Sequence, residues 1–251
     1  MLRADGIDAG FGPVDILRDI ALAVSPGETV VLLGPNGAGK STLLAAMSGA
    51  LTVRRGAVTL DECALADWPQ PLLARRRAVL AQHSALGFPF RALDVVLLGR
   101  SPWAGATSRS RDLAVATACL AEAAVTHLAD RIYTTLSGGE RQRVQLARVL
   151  AQIDFAGTPA DGEARYLLLD EPTASLDPAH QQLTLATARR AAARGMGVLA
   201  VLHDLNLAAM YADRIAVMRA GRIVASGKPA DVLTEAVVES VFDFTVRIER
   251  H

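Results

Sequence analysis

Residues Thr29–Thr42 read TVVLLGPNGAGKST: an apolar run of strand length, a glycine-rich loop, then the start of a helical pattern that continues to about Ala50. The segment Gly34–Thr42 fits G-x-x-x-x-G-K-[ST], in the strand–loop–helix setting that a phosphate-binding loop needs. Gly34, Gly37 and Gly39 let the backbone wrap closely and turn its N–H groups inward, with Pro35, Asn36 and Ala38 completing the loop. Lys40 then places a point charge on the β- and γ-phosphates of a nucleoside triphosphate. Ser41 can ligate Mg²⁺, and Thr42 closes the motif.

A triphosphate site needs a second metal anchor. Arg165–Asp170 (RYLLLD) and Gly197–His203 (GVLAVLH) are apolar runs without alternation, as expected of strands in a parallel sheet covered on both faces. Asp170 ends the first of them, where a carboxylate reaches a metal shell. The adjacent Glu171 is the candidate general base, since it lies beside the metal without having to ligate it. Elsewhere, Gly56–Leu60 reads as a strand, and 85–150 as mostly helical with breaks at GFPF and SPWAGATS. DRIAVMRAGRIVASG reads as a hairpin turning at Ala220–Gly221, and a last helix starts near Pro229. Gly, Pro, Ala and Asp cluster in Asp154–Arg165, which reads as a mobile surface loop between a helix and a strand.

A second anion-holding feature stands far downstream. In TLSGGERQRVQLARVL (Thr135–Leu150) a polar turn runs into a helical pattern, with Val144, Leu146, Val149 and Leu150 on one side. A helix start with a free serine and bare N–H groups is suited to a phosphate.

GPNGAGKST, LSGGE, YLLLDEPTASLD and LHDLN occur in the order found in ATP-binding cassette (ABC) ATPases, and the chain resembles that family over nearly its whole length. The resemblance implies an α/β fold: a P-loop core with a mixed or parallel sheet, an antiparallel β subdomain and a helical subdomain. It implies one domain over 1–251, with roughly 85–150 as the helical signature insert. ATP and Mg²⁺ are the implied cofactors. Two copies would face each other head to tail, the P-loop of one and the signature turn of the other enclosing one ATP. Ser137, Gly138, Gly139 and Glu140 would then serve the partner's nucleotide, Glu140 standing where glutamine is more frequent. Gln82 matches the glutamine that senses Mg²⁺, His203 the histidine that contacts the γ-phosphate, and Ser175-Leu176-Asp177 the loop that crosses to the opposite subunit. Phe11 stands where an aromatic, more often tyrosine, stacks on adenine.

Composition narrows the class. The 26 Lys and Arg balance 26 Asp and Glu, which argues against a phosphate-tracking nucleic-acid binder. The two cysteines, Cys63 and Cys119, match no metal or redox spacing and read as free thiols. The opening MLRADGIDAG lacks the apolar region of a secretory signal, and no apolar run approaches the ~20 residues of a membrane span. Arg75-Arg76-Arg77 reads as a solvated helix end, His83 as a surface histidine, and Trp68 and Trp103 as packing or partner-contact residues.

A single bare cassette fits the ATPase subunit of a membrane importer, acting with a transmembrane permease dimer on the cytoplasmic face of the bacterial inner membrane. Ribosome- or DNA-directed cassettes usually carry two cassettes, coiled-coil insertions or zinc cysteines. RRRAVLAQHSALGFPFRALDVVLLGRSPW resembles the corresponding segment of importers for haem, ferric siderophore and cobalamin, and its wording is most similar to the haem group. A periplasmic or surface haem-binding protein is then an indirect partner. Siderophore and cobalamin remain open, since those ATPases share every catalytic motif. Phe88 and Phe90 sit beside Gln82 in a stretch with few charges. They could form a socket for the permease, or pack the helical subdomain.

Overall fold

In the computed structural model, which describes residues 1–82, 86–155, 157, 163–174 and 176–249, the chain opens with an antiparallel pair, β1 (Leu2–Phe11) and β2 (Val14–Val24). Next come β3 (Thr29–Leu33), the glycine-rich loop and α1 (Lys40–Ser48). β4 (Arg55–Leu60) and β5 (Cys63–Ala64) extend the opening pair into a four-stranded sheet of order β2-β1-β4-β5. After α2 (Gln70–Arg76), β6 (Arg77–Leu80) enters a second sheet. Three helices follow: α3 (Ala92–Leu98), α4 (Arg109–Glu122) and α5 (Gly138–Gln152). Then come β7 (Tyr166–Asp170), α6 (Pro178–Ala193), β8 (Gly197–Val201) and α7 (Leu205–Tyr211). The hairpin of β9 (Arg214–Arg219) and β10 (Arg222–Gly227) precedes α8 (Pro229–Val232) and α9 (Glu235–Phe242).

The second sheet has six strands in the order β10-β9-β3-β8-β7-β6. All its pairings are parallel except β9 with β10. Its unalternating strands are buried on both sides, and successive residues go to different cores. Val31, Leu33, Leu167, Leu169, Val198, Ala200, Ile215 and Val217 pack on one face against the helices. Val30, Leu32, Tyr166, Leu168, Leu199, Val201, Ala216 and Met218 pack on the other against the four-stranded sheet and α1. This is why these segments read as continuously apolar: each face of the sheet has its own cover.

The hairpin turns where expected. Ala220 and Gly221 have φ of 49° and 78°, the left-handed pair that a two-residue turn demands. The last helix divides in two, because Thr234 leaves the helical conformation and its hydroxyl accepts the Val237 N–H to cap α9. The triple arginine is the larger correction. Arg76 is buried, pairing with Asp61, donating to the Ala164 carbonyl at 2.6 Å and lying over the Trp68 ring. Arg75 donates to the Pro102 carbonyl at 2.8 Å and lies over Trp103. The run is a structural joint, not a solvated end, and the two tryptophans are the platforms that make it so.

The Asp154–Arg165 connection is anchored at both ends. Asp154 and Arg165 are buried, and Arg165 donates to the carbonyls of Ile153 and Asp154 at 2.8 and 2.7 Å. Its residues 156 and 158–162 lie outside the described residues, as do His83 and Ser175. Cys63 is exposed and Cys119 buried, both as free thiols, and burial pushes the Cys119 thiol up to about 12.

Candidate active site

The glycine-rich loop leaves the C-terminal end of β3, which lies between β8 and β9. Gly34, Gly37 and Gly39 have φ of 150°, 78° and 99°, which L side chains rarely adopt. At Gly34 a Cβ would also stand 2.2 Å from the Met218 carbonyl oxygen. The loop is pinned from the β9–β10 turn, where the Gly221 N–H donates to the Ala38 carbonyl at 3.1 Å. Asn36 and Gly37 are exposed at the tip, while Ala38, Gly39 and Lys40 are buried.

Lys40 folds back over this loop. Its Nζ donates to the carbonyls of Gly34 at 2.7 Å and Pro35 at 3.0 Å. Burial depresses its pKa, against the opposing pull of Glu171 and Asp170. A buried ammonium held by two carbonyls, in a loop of inward-turned backbone, is a site made for an anion. Ser41 Oγ donates to Asp170 Oδ1 at 3.1 Å, joining α1 to the end of β7. Burial pushes the Asp170 carboxyl up, the Glu171 charge adds to this and the Ser41 hydrogen bond opposes it. A hydroxyl and a carboxylate in contact are the oxygen donors that a hard divalent cation takes.

Glu171 follows β7 with φ of 48°, an uncommon conformation for a residue with a side chain. Its carboxylate is held at both oxygens. Gln82 Nε2 donates to Oε2 at 2.6 Å, and His203 Nε2 lies 2.6 Å from Oε1. Gln82 follows the edge strand β6 and His203 follows β8, so the ends of neighbouring parallel strands bring the three together. The sequence-based expectation put Gln82 at the metal and His203 at the γ-phosphate; here both turn to Glu171. This carboxylate is oriented, largely shielded and next to a second acid, which suits it to accept a proton.

The signature turn lies apart from this cluster. Among the described residues, no hydrogen bond joins Ser137, Gly138, Gly139 or Glu140 to the phosphate loop, Asp170 or His203. The turn forms a capping box on α5: Ser137 Oγ accepts the Glu140 N–H at 3.3 Å, and Glu140 Oε2 accepts the Ser137 N–H at 2.8 Å. Those hydrogen bonds to Ser137 hold the Glu140 carboxyl below the usual carboxylate range. The residue in place of the more frequent glutamine thus has a local task. Asp177 likewise caps α6, accepting the His180 N–H at 2.9 Å. Phe11 ends β1 with its ring exposed.

One residue at the site escaped the sequence reading. Gln142, on α5, donates through Nε2 to the carbonyls of Pro172 at 2.8 Å and Glu171 at 3.4 Å. Its position just past the signature was visible, but its partners just after β7 are about 30 residues away and meet it only in the fold.

A phosphate cradle, a hydroxyl–carboxylate pair and an oriented base at the ends of parallel strands define a nucleoside-triphosphate-hydrolysing P-loop protein. Residues 17–174 match the family model described as "ABC transporter". The chain is 51% identical over 251 residues to the hemin import ATP-binding protein HmuV of Gloeobacter violaceus, spanning 100% of this chain and 90% of that one. It is 53% identical over 247 residues to the same-named protein of Myxococcus xanthus, spanning 98% of this chain and 91% of that one. Among solved structures, an inward-facing metal-chelate type ABC transporter is similar with a TM-score of 0.80 and 26% identity, over 97% of this chain and 89% of that one. A dimeric bacterial ABC transporter cassette gives 0.77 and 26%, over 91% of this chain and 99% of that one. The chain belongs to the ABC transporter family and is one of its ATP-hydrolysing cassettes.

Proposed function

We propose that this cassette powers the import of haem across the bacterial inner membrane. The single observation that carries this reading is identity of about half, over essentially the whole chain, to hemin import ATP-binding proteins of unrelated bacteria. Among the described residues, no helix is long and apolar enough to cross a membrane. In this reading the cassette works peripherally, on the cytoplasmic face, beneath a permease dimer that a haem-binding protein supplies. The whole of 1–251 is one ATPase domain, with 85–150 as its helical insert.

The site's geometry and the order of its motifs support the following roles. Gly34 to Gly39 and Lys40 hold the phosphates of ATP, with Phe11 on the adenine. Ser41, Asp170 and the Gln82 amide oxygen would ligate Mg²⁺; the bound ion would neutralise charge on the phosphates. Glu171 takes the proton of the attacking water, and His203 holds its carboxylate in place. Two cassettes pair head to tail, so that Ser137, Gly138, Gly139, Glu140 and Asp177 reach the partner's nucleotide. The N–H groups of Gly138 and Gly139, which the capping box leaves unused, suit this task, as does the positive end of α5.

Cargo choice belongs to the permease and its binding protein. Reconstitution with the cognate permease in liposomes, offering haem, a ferric siderophore and cobalamin each with its own binding protein, tests the reading. Haem accumulation with haem-stimulated hydrolysis is expected. Uptake of siderophore or cobalamin but not haem would overturn the cargo and leave the ATPase standing.

The permease socket is proposed around Gln82–Arg100, of which 83–85 lie outside the described residues. Phe88 and Phe90 are 68% and 40% exposed, which favours a socket over packing of the helical insert. Their rings touch, with centroids 6.0 Å apart, and form a small apolar ledge. Phe88→Glu and Phe90→Glu are expected to leave basal ATPase intact and to lose transport in proteoliposomes. Transport that survives both would place the socket elsewhere.

A further inference from the structure

Glu171 sits in a backbone conformation that needs support. Its φ of 48° places a side-chain-bearing residue in the left-handed region, immediately after β7 and immediately before Pro172. Such strain persists only where the surroundings over-determine it. A local turn supplies part of the support, the Ala174 N–H donating to the Glu171 carbonyl at 3.1 Å. The other part comes from a different element. Gln142 Nε2 spans the two consecutive carbonyls of Glu171 and Pro172, at 3.4 and 2.8 Å. The amide is half-buried, so water competes weakly for these acceptors.

Gln142 belongs to the same helix as the signature turn. It lies five residues beyond the Ser137 cap of α5, about 7.5 Å along the axis at roughly 1.5 Å per residue. The capping box fixes the first turn of that helix, and from there to Gln142 α5 is continuous. The turn that faces one nucleotide and the base that serves the other are therefore joined by one rigid turn and a half of helix and one side-chain amide.

We propose that Gln142 is a positioning residue for hydrolysis: by clamping the backbone at Glu171–Pro172 it sets where the Glu171 carboxylate points, and ties that setting to the position of the signature turn. The proposal rests on the reading of Glu171 as general base. Gln142 acts through Glu171, whose backbone it holds. A displacement of about 1 Å at a catalytic group costs on the order of 10²-fold in rate, so a clamp on the backbone is enough to matter.

The test is Gln142→Met, which keeps length and helix propensity and removes the donor, read beside Gln142→Glu, which replaces the donor by an acceptor. Both are expected to lower kcat by about 10- to 100-fold with KM for ATP changed by less than about twofold, the pattern of an interaction that matters only in the transition state. Acidification should partly restore Gln142→Glu relative to the parent chain, because a protonated carboxyl regains one O–H donor, enough for the closer Pro172 carbonyl; a merely structural role would not give this recovery. In a Glu171→Gln background, adding Gln142→Met should cost no more, since the clamp then has no base to aim. A Gln142→Met chain with parental kcat, a rise in KM alone, or a full additional loss in the Glu171→Gln background would each overturn the proposal. Should Gln142→Met melt too low to assay, Gln142→Glu carries the same comparison. Failure of the base assignment is separately visible, as parental turnover by Glu171→Gln alone.

Discussion

Glu171→Gln is expected to bind ATP with parental affinity and to lose turnover by at least ~10²–10⁴-fold, the worth of a positioned general base. The substitution keeps the size of the side chain and its place after β7. One amide group can still meet Gln82 and His203, which now hold the carboxylate at 2.6 Å each. What disappears is the capacity to take a proton. The phosphate cradle, formed by Lys40, its loop and the Ser41–Asp170 pair, lies on other residues and is left whole. Equilibrium nucleotide binding and single-turnover hydrolysis on the same preparation separate the two effects. Hydrolysis at near parental rate would reject Glu171 as the base, whatever the binding result.

Ser137→Arg is expected to abolish hydrolysis while the isolated monomer still binds ATP. The signature turn makes no hydrogen bond to the phosphate loop of its own chain among the described residues, and in the head-to-tail arrangement the added bulk obstructs the neighbour's nucleotide. The substitution also removes a helix cap, worth about 1 kcal/mol. Ser137→Gly is the control: it loses the hydroxyl but only a few tenths of a kcal/mol of capping, and it adds no bulk. Loss of nucleotide binding by monomeric Ser137→Arg would rule out the arrangement across the interface. Sizing in a Glu171→Gln background should show a dimer with ATP that Ser137→Arg prevents. Failure to dimerise even with the permease bound would count equally against it.

The parts legible in the sequence are those whose physics is local. The loop at Gly34–Thr42 is a backbone device, and its glycines announce it. The strands β3, β7 and β8 are buried on both faces, so their apolar runs stand out without any knowledge of their neighbours. Ala220–Gly221 gives its own turn. What stayed hidden depends on partners distant in the chain. Arg75 and Arg76 look like part of a surface charge run until Trp68, Trp103 and Asp61 close around them. Gln142 looks like one more polar position on a helix until β7 is placed beside it. Glu140 stands in a motif position where a substitution invites a functional reading, yet its carboxylate answers a local need of the helix start. The Glu171 grouping was half visible: each residue could be singled out by its motif, but that Gln82 and His203 both close on one carboxylate is a fact of strand order.

That strand order also divides the site into a fixed jaw and a compliant one. β3, which carries the phosphate loop, is hydrogen-bonded on both sides, by β8 and β9, and any shift of the loop would have to drag the middle of the sheet with it. β6, which delivers Gln82, is the outermost strand and, among the described residues, has a strand partner on one side alone, β7. A pull applied near Phe88, a few residues past Gln82, therefore meets a margin that can yield while the cradle stays still. Local opening is cheapest where an element has fewest neighbours. The molecule can thus feel traction from outside as a change in the company Glu171 keeps, without loosening its hold on the phosphates.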